Sequence, residues 1–255
     1  MNLAGPISQL MISLIIPIAF FLYFRKKQQF AWKPLWIGAA VFVLFSQVLE
    51  KLLHIAMIDQ SGTALKWTDH PAAFVLYGAL AAGVFEELGR YVGFRFWLKD
   101  RHEYKDGLSF GLGHGGIEAI LIGVIGAINT LVLMQLIRSG TFDETLGSAL
   151  SAEQASTLKE QIMNTPFAFY VLGGLERGGA LIFHITMSLL VLLGVRTNRF
   201  RYVLYAIAIH ALLDVAPAMY QAGILKNIWA VEGVLALFAV ASLFVWNKLK
   251  RKLVE

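Results

Sequence analysis

Cysteine is absent from the 255-residue chain, which removes disulfides, thiolate nucleophiles and cysteine-ligated metals from consideration. The redox compartment is left open by the same fact. Charge is scarce as well: 15% of residues are Asp, Glu, Lys or Arg, against roughly 25% in soluble domains. Hydrophobic residues make up 57% of the chain and the mean hydropathy is +0.63, a balance that excludes an ordinary water-soluble domain. The formal net charge of +5 does not argue for a nucleic-acid partner, because in so apolar a chain the positions of Lys and Arg serve as topology markers. No internal repeat or low-complexity tract is evident.

What fills the chain is a series of apolar runs, at about residues 3–24, 34–57, 71–97, 108–137, 167–195, 201–216 and 229–247, each near the roughly 20 residues that a membrane helix needs. The expected fold is all-α: one polytopic transmembrane helical bundle of about seven spans, a single integral membrane domain over 1–255. The first run lacks a basic leader and a small-residue cleavage site, and reads as a retained span. The sixth ends at Pro217, and the fifth is long enough to tilt or break near Gly173-Gly174. The connection 139–166 is expected outside; the helical spacing of Ala152, Ala155, Leu158 and Ile162 allows a short surface helix there, with a solvated loop as the alternative.

With the N-terminus outside, fifteen Lys and Arg fall in cytoplasmic positions, within 25–33, 95–105, 196–201 and 248–252, and only Lys51, Lys66, Arg138, Lys159 and Lys226 fall outside. The positive-inside rule therefore predicts N-out/C-in.

Charged side chains within a bilayer cost several kcal/mol and face partners inside the bundle. Here they are numerous: Glu86, Glu87 and Arg90 in the third span, His114 and Glu118 in the fourth, Glu176, Arg177, His184 and Ser188 in the fifth, His210 and Asp214 in the sixth. Spacings of three and four put Glu86 and Glu87 on the face of Arg90, His114 with Glu118, His184 with Ser188, and His210 with Asp214. Counted at about 1.5 Å rise per residue, Glu86, His114, His184 and His210 lie roughly 10 to 18 Å from the cytoplasmic helix ends, at one level. Packing alone could use Ser, Thr and Gly at lower cost.

A carboxylate beside imidazoles can take a proton from water while another imidazole donates to the oxyanion of a tetrahedral intermediate. The set suits hydrolysis of a peptide or ester without a covalent intermediate; the same side chains also suit zinc. There is no H-E-x-x-H. Gly107-Leu108-Ser109-Phe110-Gly111 matches G-x-S-x-G, but that elbow needs a strand-turn-helix setting and here it opens a membrane helix.

Glu86-Glu87 with Arg90, Phe110-x-x-x-His114 and His210-x-x-x-Asp214 occur in this order on separate spans. In this the chain resembles the glutamic intramembrane protease superfamily that includes the CAAX prenyl proteases and bacteriocin-processing proteins, and more closely the bacterial YhfC family. The resemblance implies that Glu86 activates water with support from Glu87 and Arg90, that His114 and His210 bind the water or stabilise the oxyanion, and that Asp214 orients His210. Arg90 follows the second glutamate by three positions, one fewer than in the CAAX proteases. His184 with Ser188 offers a competing third motif, and Glu118, Glu176 and Arg177 have no assigned role.

The expected activity is that of an intramembrane endopeptidase of a bacterial cytoplasmic membrane, acting on a membrane protein or peptide. A non-catalytic scaffold of the same fold and a proton-coupled transporter are the alternatives. The double glutamate with its arginine, and the resemblance, lean toward a site without a metal cofactor; if zinc is present, its ligands come from Glu86, His114, His184 and His210. The oligomeric state is left open.

The topology is directly testable, since every cysteine introduced is the sole one in the chain. In intact cells an impermeant thiol reagent is expected to label Thr145→Cys and spare His102→Cys. The opposite pattern would invert the orientation.

Overall fold

In lipid an unpaired backbone amide costs several kcal/mol, so apolar runs of this length resolve as helices whose hydrogen bonds close within the segment. The computed structural model describes residues 2–147 and 149–254. Among them are seven helices long and apolar enough to cross a membrane: Ala4–Lys26, Trp32–Met57, Pro71–Trp97, Tyr104–Ser139, Phe167–Arg196, Arg201–Gln221 and Ile228–Val254. They are called the first to seventh spans below. No strand occurs among the described residues, only isolated bridges that tie Leu65 to Ile58 and Thr68 in the connection between the second and third spans. The chain is an all-helical integral membrane protein.

Two expectations about where helices stop or break are corrected. The sixth span runs through Pro217 to Gln221. Proline removes one amide donor, a loss that membrane helices tolerate when neighbouring groups satisfy the freed carbonyl. The fifth span is unbroken at Gly173-Gly174. A side chain on Gly174 would come within 2.9 Å of Ile12, so this glycine serves close packing against the first span.

Two compact units can be distinguished. One comprises Met1–Ala19 and Glu118–Gly178. In it the 139–166 connection forms two helices, Phe142–Leu146 and Ala152–Asn164. The second is started by a capping box in which Ser151 Oγ accepts from the Gln154 amide and the Gln154 side chain accepts from the Ser151 amide, closing two otherwise unpaired donors. Ile162 on this helix is buried with Met134 and Tyr170, with Leu3 and Leu158 packed around them.

The other unit comprises Phe20–Ile117 and Gly179–Glu255. Its third span packs along the sixth and against the second. Small residues set how closely these helices approach. A Cβ on Gly113 would lie 1.9 Å from the Leu35 carbonyl oxygen, and one on Gly38 would lie 2.1 Å from that of Phe110, so the second and fourth spans cross backbone to backbone. On another face of the fourth span, Gly107, Gly111 and Gly115 receive the fifth, Gly111 lying against the Ile185 backbone and Gly115 against His184. His114 is thereby carried into a tightly packed interior.

The second, third and fourth spans each contain a π-helical stretch, at Phe42–Glu50, Gly93–Trp97 and Ala119–Val124. Such widened turns reset which side chains share a face, and they recur near functional sites.

Gly113→Ala is expected to cost about 1–3 kcal/mol, as overpacked interiors do. Gly126→Ala in the same span meets nothing within 4 Å and is expected to be neutral or mildly stabilising, alanine being the better helix former. Thermal unfolding of the two purified variants checks this; equal melting temperatures would contradict the close crossing.

Candidate active site

The Phe-Glu-Glu-Leu-Gly-Arg stretch of the third span puts Glu86 and Glu87 within one helical turn of Arg90. All three are buried, Glu87 and Arg90 completely. A guanidinium has donors only, and Arg90 distributes them: Nη1 donates to Glu87 Oε1 at 2.5 Å, while Nη2 donates to His184 Nδ1 at 2.5 Å and to Glu86 Oε2 at 3.3 Å. Because Arg90 cannot accept, His184 meets it with an unprotonated Nδ1. Arginine thus links the third span to the fifth.

Glu86 Oε2 is the meeting point of the cluster. His114 Nε2 lies 2.9 Å from it and His184 Nδ1 lies 3.6 Å away. Glu86, His114 and His184 can each present one ligand atom such that all lie within 4.8 Å of one another. His210 is engaged differently: its Nδ1 lies 2.7 Å from Glu87 Oε1, and its Nε2 lies 3.5 Å from Asp214 Oδ2. Of the four side chains expected to serve a metal, three converge and His210 goes to the neighbouring glutamate.

Aromatic rings wall the site. Phe42 meets the His114 ring edge-on at 5.0 Å and Phe183 meets the His210 ring at 5.1 Å, while Phe110, one turn before His114, stacks on Phe94 at 4.3 Å. These neighbours keep the local dielectric low, which strengthens every charge interaction inside. Glu86 and Glu87 meet the one guanidinium while Asp214 and Glu87 flank the His210 ring, so that three carboxylates face Arg90 and His210 and one negative charge is left over even with His210 as the imidazolium. His114 Nδ1 and Glu87 Oε2 are buried without a hydrogen-bond partner. The donor set of two imidazoles and a carboxylate, together with that charge excess, fits a divalent cation of the zinc class.

Other sequence-predicted residues lie elsewhere. Ser188 donates to the carbonyl of His184 rather than to its ring, a common use of serine within a helix. Ser109 accepts from the Ala31 amide and donates to the Lys105 carbonyl, each at 2.8 Å, so both hydroxyl functions join backbone groups and no serine elbow is formed. In the first unit Glu118 accepts from Arg177 at 3.0 Å, and Arg177 also pairs with Glu176. These three make a second buried charge cluster.

One group was overlooked in the sequence. His54 Nδ1 lies 2.8 Å from the Tyr77 hydroxyl, and its Nε2 lies 3.3 Å from Glu50. The signal was present, since Glu50 and His54 stand four apart inside the second apolar run.

The family model described as YhfC intramembrane metalloprotease matches residues 12–235. The uncharacterized membrane protein YhfC of Bacillus subtilis (strain 168) is 39% identical over 240 residues, covering 94% of this chain and 93% of that protein. No solved structure gives a significant match. A match over most of both lengths, in a chain with seven apolar helices and buried Glu, Arg and His side chains, establishes that the protein belongs to the YhfC intramembrane metalloprotease family.

Proposed function

We propose that this protein is an intramembrane endopeptidase that hydrolyses a peptide bond of a membrane-associated substrate at Glu86, His114 and His184, which hold a divalent cation. The observation that carries this reading is the convergence of these three buried side chains to within 4.8 Å. It departs from the metal-free site expected from the Glu-Glu-Arg motif, on the strength of the donor set, the charge excess and the family's description. The origin of the bacterial relative supports placement in a bacterial cytoplasmic membrane.

When bound, such a cation supplies Lewis acidity, polarising a carbonyl and acidifying water. The chain's own residues do the rest. Glu86 accepts the proton of the attacking water, with Arg90 and His114 fixing the carboxylate's direction. Arg90 donates to His184 Nδ1 and so fixes the imidazole plane; with the proton of the neutral ring on Nε2, that same Nδ1 lone pair is the one that would hold the cation, Arg90 then keeping its contacts to Glu87 and Glu86. Glu87 anchors His210 through Nδ1, and the longer contact to Asp214 leaves Nε2 the freer nitrogen to donate to the developing oxyanion. The surrounding phenylalanines exclude bulk water.

Glu86→Gln preserves shape while removing the carboxylate that both helps to hold the cation and takes the proton, and is expected to lower hydrolysis by at least about 10²–10⁴-fold. The substrate is to be found by comparing membrane proteomes of cells carrying wild-type and Glu86→Gln protein. If no peptide differs, and the variant instead abolishes partner assembly or proton flux, the protease reading fails. Ser109→Ala is expected to keep activity per folded molecule while losing stability, because it removes two buried hydrogen bonds.

The metal makes a separate prediction. Purified wild-type protein is expected to hold stoichiometric zinc, lost in Glu86→Gln, His114→Ala and His184→Ala but kept in His210→Ala. Full activity of chelator-washed, zinc-free protein would return the site to a Glu-activated water alone.

A further inference from the structure

The second, third and fourth spans bring one set of ends together around the loop Leu98–Glu103, on the side expected to be cytoplasmic. A cavity of about 530 Å³ opens there. Its wall carries Lys33, Lys99 and Arg101, none of which has a carboxylate within salt-bridge distance among the described residues. Lys105 is different: its ammonium is paired with Glu103 at 2.7 Å. Three cations that no carboxylate meets at salt-bridge distance, on a wall that also carries Asp100, Glu103 and Asp106, offer donors to an anion with several acceptor oxygens, of which phosphate is the commonest fit.

A second observation narrows the ligand. Asp106 also lines the cavity and is 2% exposed. Its Oδ2 accepts from the Glu103 amide at 3.0 Å, as a helix cap does, while its Oδ1 is buried with no hydrogen-bond partner. A buried carboxylate oxygen left without a donor is costly, and at a cavity wall it calls for a donor from outside. Asp100 stands on the same wall. The site therefore offers cations for a phosphate and a carboxylate oxygen for an N–H group a short distance away.

The cavity's place selects between sources of that pair. Phe96 and Trp97 form part of the lining and are 54% and 37% exposed, and exposed aromatics at the end of a membrane helix lie at headgroup level. We propose that this cavity seats the headgroup of an aminophospholipid of the phosphoethanolamine type, its phosphate on Lys33, Lys99 and Arg101 and its primary ammonium on Asp106. The bound lipid fixes the 98–103 loop and, through it, the start of the span that carries His114. This does not rest on the protease reading, because none of these residues touches the Glu86 cluster.

Native mass spectrometry of the full-length protein, released from bilayers of defined composition, tests the assignment. Phosphatidylethanolamine is expected to be retained in preference to phosphatidylcholine, whose quaternary amine has no N–H, and to phosphatidylglycerol, which has no amine. Lys99→Gln and Arg101→Gln are each expected to reduce retention about fivefold, the worth of one basic contact to a headgroup. Asp106→Asn keeps the cap, since the amide oxygen still accepts from Glu103, and is expected to erase the preference for phosphatidylethanolamine over phosphatidylcholine. Lys105→Gln, already paired, is expected to leave retention unchanged. Equal or stronger retention of phosphatidylglycerol, displacement by inorganic phosphate alone, or a loss in Lys105→Gln as large as in Arg101→Gln would overturn the proposal and reduce the cavity to a general basic surface.

Discussion

Arg90 is the interaction on which the rest of the site depends. A fully buried guanidinium is tolerable only if its donors are met by nearby charge, and here they reach Glu87, Glu86 and His184 at once. Removing one partner of such a group leaves an uncompensated charge in low dielectric, a loss on the order of 3–5 kcal/mol. The arrangement therefore resists alternatives: any rotation of the third span that moved Glu86 away from His114 would also unpair Arg90. The placing of Glu86 and the packing of the helices around it rest on the same contacts.

That fork can form only because the helices around it come close enough. Gly113 against Leu35, and Gly111 and Gly115 against the fifth span, remove the side-chain layer that ordinarily separates helices, so His114 and His184 approach with ring centroids 5.1 Å apart. Glycine in a helix costs about 1 kcal/mol relative to alanine. The fourth span accepts that cost repeatedly, in the segment that bears the histidine.

Much of this was legible in the sequence, for reasons that can be stated residue by residue. Hydropathy located seven spans because an apolar run of about 20 residues closes its backbone hydrogen bonds within itself only as a helix, and the i,i+4 rule paired Glu86 with Arg90 and His210 with Asp214 because helix geometry is rigid over one turn. Contacts between spans were not legible in the same way. Nothing local says that Arg90 reaches a histidine 94 residues away, or that Glu118 goes to Arg177 across 59 residues. The separation of His210 from the three converging side chains also depends on helix rotation, which a count of depths does not contain. Pro217 misled for a physical reason too: in water it stops a helix, and in a packed membrane bundle it need not.

In the proposed mechanism Glu86, His114 and His184 hold the catalytic cation. X-ray absorption at the zinc edge of the zinc-loaded protein tests it most directly. The expected spectrum shows nitrogen and oxygen neighbours at about 2.0–2.2 Å with the outer-shell scattering of two imidazoles, reduced to one in His114→Ala. A first shell without imidazole, or one unchanged in that variant, would contradict it.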